Sequence, residues 1–99
     1  MIYRNPKNTN SVMLNRRIYN VDLSTIDKIQ AWLGKVSKTK ADLSIKTDNA
    51  IINAKSLMGL LSLDLSVPHE LEFSMETNDM KFFNEEASKF ERDYENYLK

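Results

Sequence analysis

Few side chains in this sequence can do covalent or metal chemistry. There is one histidine, His69, and no cysteine. That composition excludes a thiolate zinc site, an iron–sulfur cluster, a disulfide scaffold, a cysteine nucleophile and a His-rich metal site. The acids Glu85, Glu86, Glu91, Asp93 and Glu95 fall on one predicted C-terminal helix, where a solvated face is the ordinary role for such a run. There is no Ser-His-Asp set and no glycine-rich phosphate loop. The expectation is a protein that is not an enzyme and uses no cofactor or metal. What remains is a hydroxyl, Ser56, preceded by Lys55 and followed by Leu57-Met58-Gly59-Leu60-Leu61. It stands where a helix N-cap should stand, a role worth about 1 kcal/mol by itself.

The elements that position Ser56 follow from periodicity. The chain has 99 residues, 41% of them hydrophobic, which is enough for one small core and argues against disorder. Residues 1–11 are polar and read as a flexible N-terminal arm, leaving 12–99 as a single domain. Residues 12–20 read as a strand with Leu14 and Ile18 inward and Arg17 outward. Residues 25–38 read as a helix whose apolar stripe is Ile26, Ile29, Leu33 and Val36, with Trp32 at its edge. Ser24 and Asp27 suggest a capping-box variant, and Gly34 suggests close packing. Residues 41–46 alternate, Thr47-Asp48-Asn49 reads as a hairpin turn, and 50–54 return. A short helix spans 56–65, with Leu57, Leu60 and Leu61 able to share one face. Residues 70–76 alternate most cleanly, with Leu71, Phe73 and Met75 on one side. Over 79–98, Met80, Phe83, Ala87, Phe90, Tyr94 and Tyr97 make a helical core stripe, capped by Asn78 or Thr77. The order is β-α-β-β-α-β-α, an α+β class with a sheet covered on one face.

Charge sets further bounds. The net charge is zero, with nine Lys/Arg and four Asp/Glu in residues 1–50 against five and ten in 51–99. This balance argues against a nucleic-acid partner. No apolar run approaches the ~20 residues of a membrane span, and residues 1–11 have no apolar core of a secretory signal. The expectation is a cytoplasmic protein with no membrane partner.

The stretch Asn53-Ala54-Lys55-Ser56-Leu57-Met58-Gly59-Leu60-Leu61-Ser62-Leu63 resembles the regulatory serine motif of the HPr family. These are the small phosphocarriers of the bacterial sugar phosphotransferase system. The family motif reads Lys-Ser-Ile-Met-Gly, then an apolar residue, Met or Leu, Ser and Leu. Outside the motif the resemblance is one of pattern, running from about residue 14 to about residue 90. It implies an HPr-like open-faced β-sandwich, a four-stranded antiparallel sheet with three helices on one face.

The resemblance also implies two modification sites. The family's phosphoacceptor pattern is His-Ala-Arg-Pro at the start of the first helix. Counted back from Ser56, the histidine position falls on Thr25, the arginine on Asp27 and the proline on Lys28. A threonine hydroxyl is a poor nucleophile without a base and would form a stable ester, whereas neutral imidazole transfers phosphate readily. Asp27 would repel the phosphate that an arginine would hold. His69 reads as a surface turn residue. The chain is thus similar to the histidine-less catabolite-repression HPr paralogues. The second site, Ser56, matches the family's target for HPr kinase/phosphorylase. Lys55, Leu57, Met58 and Leu61 would form the partner-binding surface around it, and a LacI-type transcriptional regulator would read the phosphorylated form. The other reading is an interaction or structural module that keeps only the fold, with Ser56 serving as a helix cap.

Overall fold

The structure, a computed structural model, describes residues 12–97; the arm expected over 1–11 lies outside them. Seven elements follow the expected order: β1 (Leu14–Val21), α1 (Ile26–Lys35), β2 (Asp42–Lys46), β3 (Ile51–Asn53), α2 (Leu57–Leu61), β4 (His69–Glu76) and α3 (Met80–Tyr97). The strands form one sheet in the order β1-β4-β2-β3, every neighbouring pair antiparallel. The fold is the α+β open-faced sandwich that the pattern and the resemblance imply.

Period-two alternation decides which side of the sheet is covered. Leu43 and Ile45 of β2 and Leu71, Phe73 and Met75 of β4 are buried toward the helices. Glu70, Glu72 and Glu76 point the other way, because register partners share a face and these pair with Asn20, Ile18 and Leu14. The hairpin between β2 and β3 is closed by Thr47, whose N–H donates to Ala50 O at 2.8 Å and whose hydroxyl accepts from Ala50 N at 3.1 Å.

β1 corrects the sequence reading. Leu14 and Ile18 are more than half exposed, at 55% and 56%, and lie with Arg16 on the open face. Arg17 and Tyr19 point to the helices instead. β1 is an edge strand, so its covered side borders solvent, and long amphipathic side chains suit that rim. Tyr19 donates to Glu91 Oε2 at 2.6 Å. Arg17 donates to Glu91 and to Asn84 Oδ1, with its guanidinium 5.5 Å from the centre of the Phe83 ring. Burial and the Glu91 hydrogen bond push the Tyr19 hydroxyl up to about 12.

The helices differ from expectation in detail. Trp32 is fully buried, not at the stripe's edge, while Ile26 is 57% exposed. Thr25, not Ser24, caps α1: its hydroxyl accepts from Lys28 N at 3.1 Å, so Ser24 and Asp27 form no capping box. Gly34 has nothing within 4 Å of where a Cβ would stand, so no close packing explains it. α3 is capped by Asp79, which accepts from Phe82 N at 3.0 Å. Thr77 accepts from Asp79 N, and Asn78 from Met13 N. Met80 is exposed, whereas Phe83, Ala87, Phe90 and Tyr97 are buried and Tyr94 is half-buried. Trp32, Phe73 and Phe90 are the largest side chains sealed in the core.

Glu86 does not belong to the solvated face assigned to it. It is 5% exposed, and its Oε1 accepts from Lys40 N at 3.3 Å while Oε2 meets Lys89 Nζ at 3.3 Å. The carboxylate fastens the α1–β2 connection to α3. Burial alone would raise its pKa, but the hydrogen bonds from Lys40 and Lys89 outweigh it and hold the group below its ordinary value.

Two predictions follow from this packing. Phe90→Ala should destabilise the fold by about 3–5 kcal/mol in urea unfolding. A carboxylate with a lowered folded-state pKa stabilises fully above its unfolded value. That contribution is lost as pH falls through the folded value. Stability should therefore drop below about pH 4.3, and Glu86→Gln should flatten the drop in urea titrations between about pH 3 and about pH 6.

Candidate functional site

Ser56 stands at the end of a tightly held loop. Trp32 Nε1 reaches across from α1 and donates to Ala54 O at 2.7 Å. Ala54 N donates back to Leu43 O at 2.8 Å. Asn53 closes the turn, its side-chain oxygen accepting from Lys55 N at 2.9 Å and its carbonyl from Ser56 N at 3.0 Å. Ser56 then caps α2: its hydroxyl oxygen accepts from Gly59 N at 3.2 Å, and its carbonyl accepts from Leu60 N at 2.9 Å. The cap expected from the sequence is present.

The helix behind Ser56 is five residues long, half the expected span. Ser62 stops it, donating from both backbone and side chain to Gly59 O. Leu60 and Leu63 are the buried anchors. Leu57, Met58 and Leu61 are exposed at 46%, 78% and 43%, so they form an apolar surface patch beside Ser56. Leu57 and Leu61 therefore do not join Leu60 on a common core face. Their i, i+4 spacing instead puts them side by side on the outer surface. Gly59 is fitted to its place. A Cβ there would stand 2.9 Å from Ile52 Cγ2 and 3.1 Å from Asn53 O. α2 can lie against β3 this closely only without that atom.

Lys55 points away from its neighbour. Its ammonium donates to Thr39 O at 2.7 Å, so its charge is engaged with the α1–β2 connection.

The position where the resemblance expects a histidine is also built from the loop upward. Tyr94 OH accepts from Asp22 N at 3.0 Å, and the Tyr97 hydroxyl donates to Asp22 O. The Asp22 side chain takes the Lys28 ammonium and accepts from Ser24 N at 3.0 Å. The Lys28 bond is the main reason its carboxyl lies below the usual range. Burial raises the Tyr97 hydroxyl well above its ordinary value. Thr25 is exposed, its hydroxyl committed as the α1 cap. Asp27 is exposed in the first turn of α1.

His69 is better placed than its distance along the chain suggests. It is the first residue of β4, not a turn residue, and it pairs in register with Val21 at the end of β1. The only imidazole therefore sits at the same end of the sheet as the Thr25 loop. Its Nε2 lies 2.8 Å from Asp64 O. A carbonyl only accepts, so Nε2 carries the hydrogen and in the neutral ring Nδ1 holds the lone pair. No spacing in the sequence signals this placement; it comes from strand pairing. Among the described residues no group of three His, Asp or Glu side chains could hold a metal, and no helix is long and apolar enough to cross a membrane.

Comparison with protein-family models, with curated proteins and with solved structures finds no match for this chain.

The two glycines make opposite predictions. Gly59→Ala should destabilise by roughly 1–3 kcal/mol, because the backbone oxygen of Asn53 cannot give way as a flexible side chain would. Gly34→Ala should stabilise by about 1 kcal/mol, since the site is open and alanine favours the helix. Thermal unfolding of both variants checks the pair.

Proposed function

We propose that this protein is a histidine-less relative of HPr that acts by regulation, not as a phosphocarrier. In this reading, Ser56 is phosphorylated by an HPr kinase/phosphorylase in the cytoplasm, and the product works through protein–protein binding in carbon catabolite regulation. A LacI-type transcriptional regulator is the proposed reader. The observation that carries the reading is the motif Asn53–Leu63 with its serine at the mouth of a loop beside an exposed apolar patch. Leu57, Met58 and Leu61 suit a docking surface, and Met58 is adaptable enough to fit more than one partner.

The chemistry asked of Ser56 is simple. Its Oγ attacks the γ-phosphorus of ATP, the bond to the β,γ-bridging oxygen breaks, ADP departs, and the hydroxyl proton passes to a base on the kinase. The product carries about −1.5 to −2 charges beside a patch that is otherwise apolar. Lys55 is the nearest cation in sequence, and pairing it with the phosphate would cost its bond to Thr39 O. Loss of carrier activity is supported by Thr25, whose hydroxyl is already used as a cap, accepting from Lys28 N. It is supported too by Asp27 in place of an arginine.

The test uses the full chain and intact mass. Incubation with HPr kinase and ATP should add one phosphate to the wild type and none to Ser56→Ala, with an ordinary HPr as the positive control. Phosphoenolpyruvate and the general phosphotransferase enzyme should leave no acid-labile phosphate. Label at His69 would overturn the histidine-less reading. No phosphate on Ser56 while the control is labelled would leave an interaction module in which the serine only caps α2.

A further inference from the structure

All three helices lie on one side of the sheet, and among the described residues nothing covers the other. That open face is not uniformly polar. Leu14, Ile18 and Ile51 are exposed there at 55%, 56% and 70%. Ile18 stands on β1 at one edge and Ile51 on β3 at the opposite edge. Between them lies a shallow depression of about 260 Å³ whose floor includes Glu70, Glu72, Ser44 and Lys46.

The floor is ordered in rows by the strand register. Ile18 pairs with Glu72 and Glu72 with Ser44. One row on, Lys46 pairs with Ile51, and the β2–β4 register carries Lys46 alongside Glu70. In these two rows the acids stand in the β4 column, and the base and hydroxyl in the β2 column beside it; one row back, Asp42 of β2 pairs with Ser74 of β4. Arg16 pairs with Glu72 at 3.7 Å. No ion pair joins Glu70 or Lys46 to any described residue.

We propose that this face is a self-association surface on which a second copy of the chain docks sheet to sheet. The arrangement is self-complementary about a two-fold axis running along the strands between β4 and β2. Rotation about that axis lays β4 of one copy over β2 of the other and keeps each row in place. Glu70 then faces Lys46 of the second copy, and Glu72 faces Ser44 of the second copy. Each contact occurs twice, as a two-fold interface requires. The same rotation lays the β1 edge of one copy over the β3 edge of the other, with Ile18 one row along from Ile51 of the second copy. Aligned sheets pack about 10 Å apart with their strands within about 30°, so the central rows stay opposed. An unrelated acidic or basic partner would not need its complement at mirrored positions on this same face. Four strands make a small contact, so the association belongs to the weak class.

Sedimentation velocity and concentration-dependent amide shifts of the full chain, from about 10 µM to about 1 mM, test the proposal. A monomer–dimer equilibrium is expected, with shifts concentrated on Ile18, Ser44, Ile51 and Glu72. Lys46→Glu should weaken association roughly tenfold or more by opposing like charges, and Glu70→Lys combined with Lys46→Glu should restore it. Ile51→Ser, which leaves all charges in place, should also weaken it. Unfolding midpoints of each variant separate lost association from lost fold. A monomer throughout, failure of the charge swap to restore association, or a dimer abolished by Met58→Glu but not by Lys46→Glu would each overturn the proposal.

Discussion

The Phe90 ring is the contact on which the layers depend. It is fully enclosed and meets Phe73 at the middle of the sheet, with ring centres 5.3 Å apart. The same ring touches Tyr19 of the edge strand at 5.0 Å and Trp32 of α1 at 6.0 Å. Aromatic pairs at these separations add to area burial when tilted or edge-on, and three of the four ring contacts of Phe90 are of that kind, the fourth, to Tyr94, being stacked. A sheet covered on one face must bury its hydrophobic side against very few residues, so large rings do the work that two packed sheets would share. Once Phe90 is placed, α3 crosses β1 and β4, and α1 is drawn against α3 through Trp32, Tyr94 and Tyr97.

The same rings govern the two loops of functional interest. Tyr94 and Tyr97 hold the loop before Thr25 by their hydroxyls, and Trp32 holds the loop before Ser56 by its indole N–H. Each aromatic has a buried body and a polar edge aimed at backbone. The loop before Ser56 is held further by Asn53 and Lys55, and Glu86 secures the connection that Lys55 reaches. Rigidity of this kind leaves Leu57, Met58 and Leu61 presented on a fixed base although α2 is a single short helix.

The sequence was most legible where one face is buried and the other is wet. β4 alternates because its two sides meet a core and a solvent, and α3 shows its stripe for the same reason. Alternation alone puts the wrong side of β1 inward, because its covered face lies at a rim, where Arg17 and Tyr19 serve better than aliphatic residues. Hydropathy scores such side chains as outward. Trp32 lies deeper than its place on the stripe implies, since its indole partner is the carbonyl of Ala54, distant in sequence. Glu86 resembled its solvated neighbours until the Lys40 N–H supplied a bond. Ser56 was legible as a cap because capping is a local geometry with a local signature. Thr25 displaced Ser24 by one residue, within the ordinary uncertainty of a helix end. The pairing of His69 with Val21 left no trace in spacing, since register is a property of two strands at once.

The bond from Trp32 to Ala54 has an optical consequence. The chain has one tryptophan, and its indole donates to a carbonyl two residues before Ser56. Its emission therefore comes from a single environment, without a second fluorophore of its kind to average over. A rearrangement of the loop that lengthens or breaks that hydrogen bond would change the polarity around the indole, and hence the wavelength and lifetime of the emitted light. The molecule carries, on the covered side of its own sheet, a label-free gauge of the loop that bears the half-buried Ser56 hydroxyl.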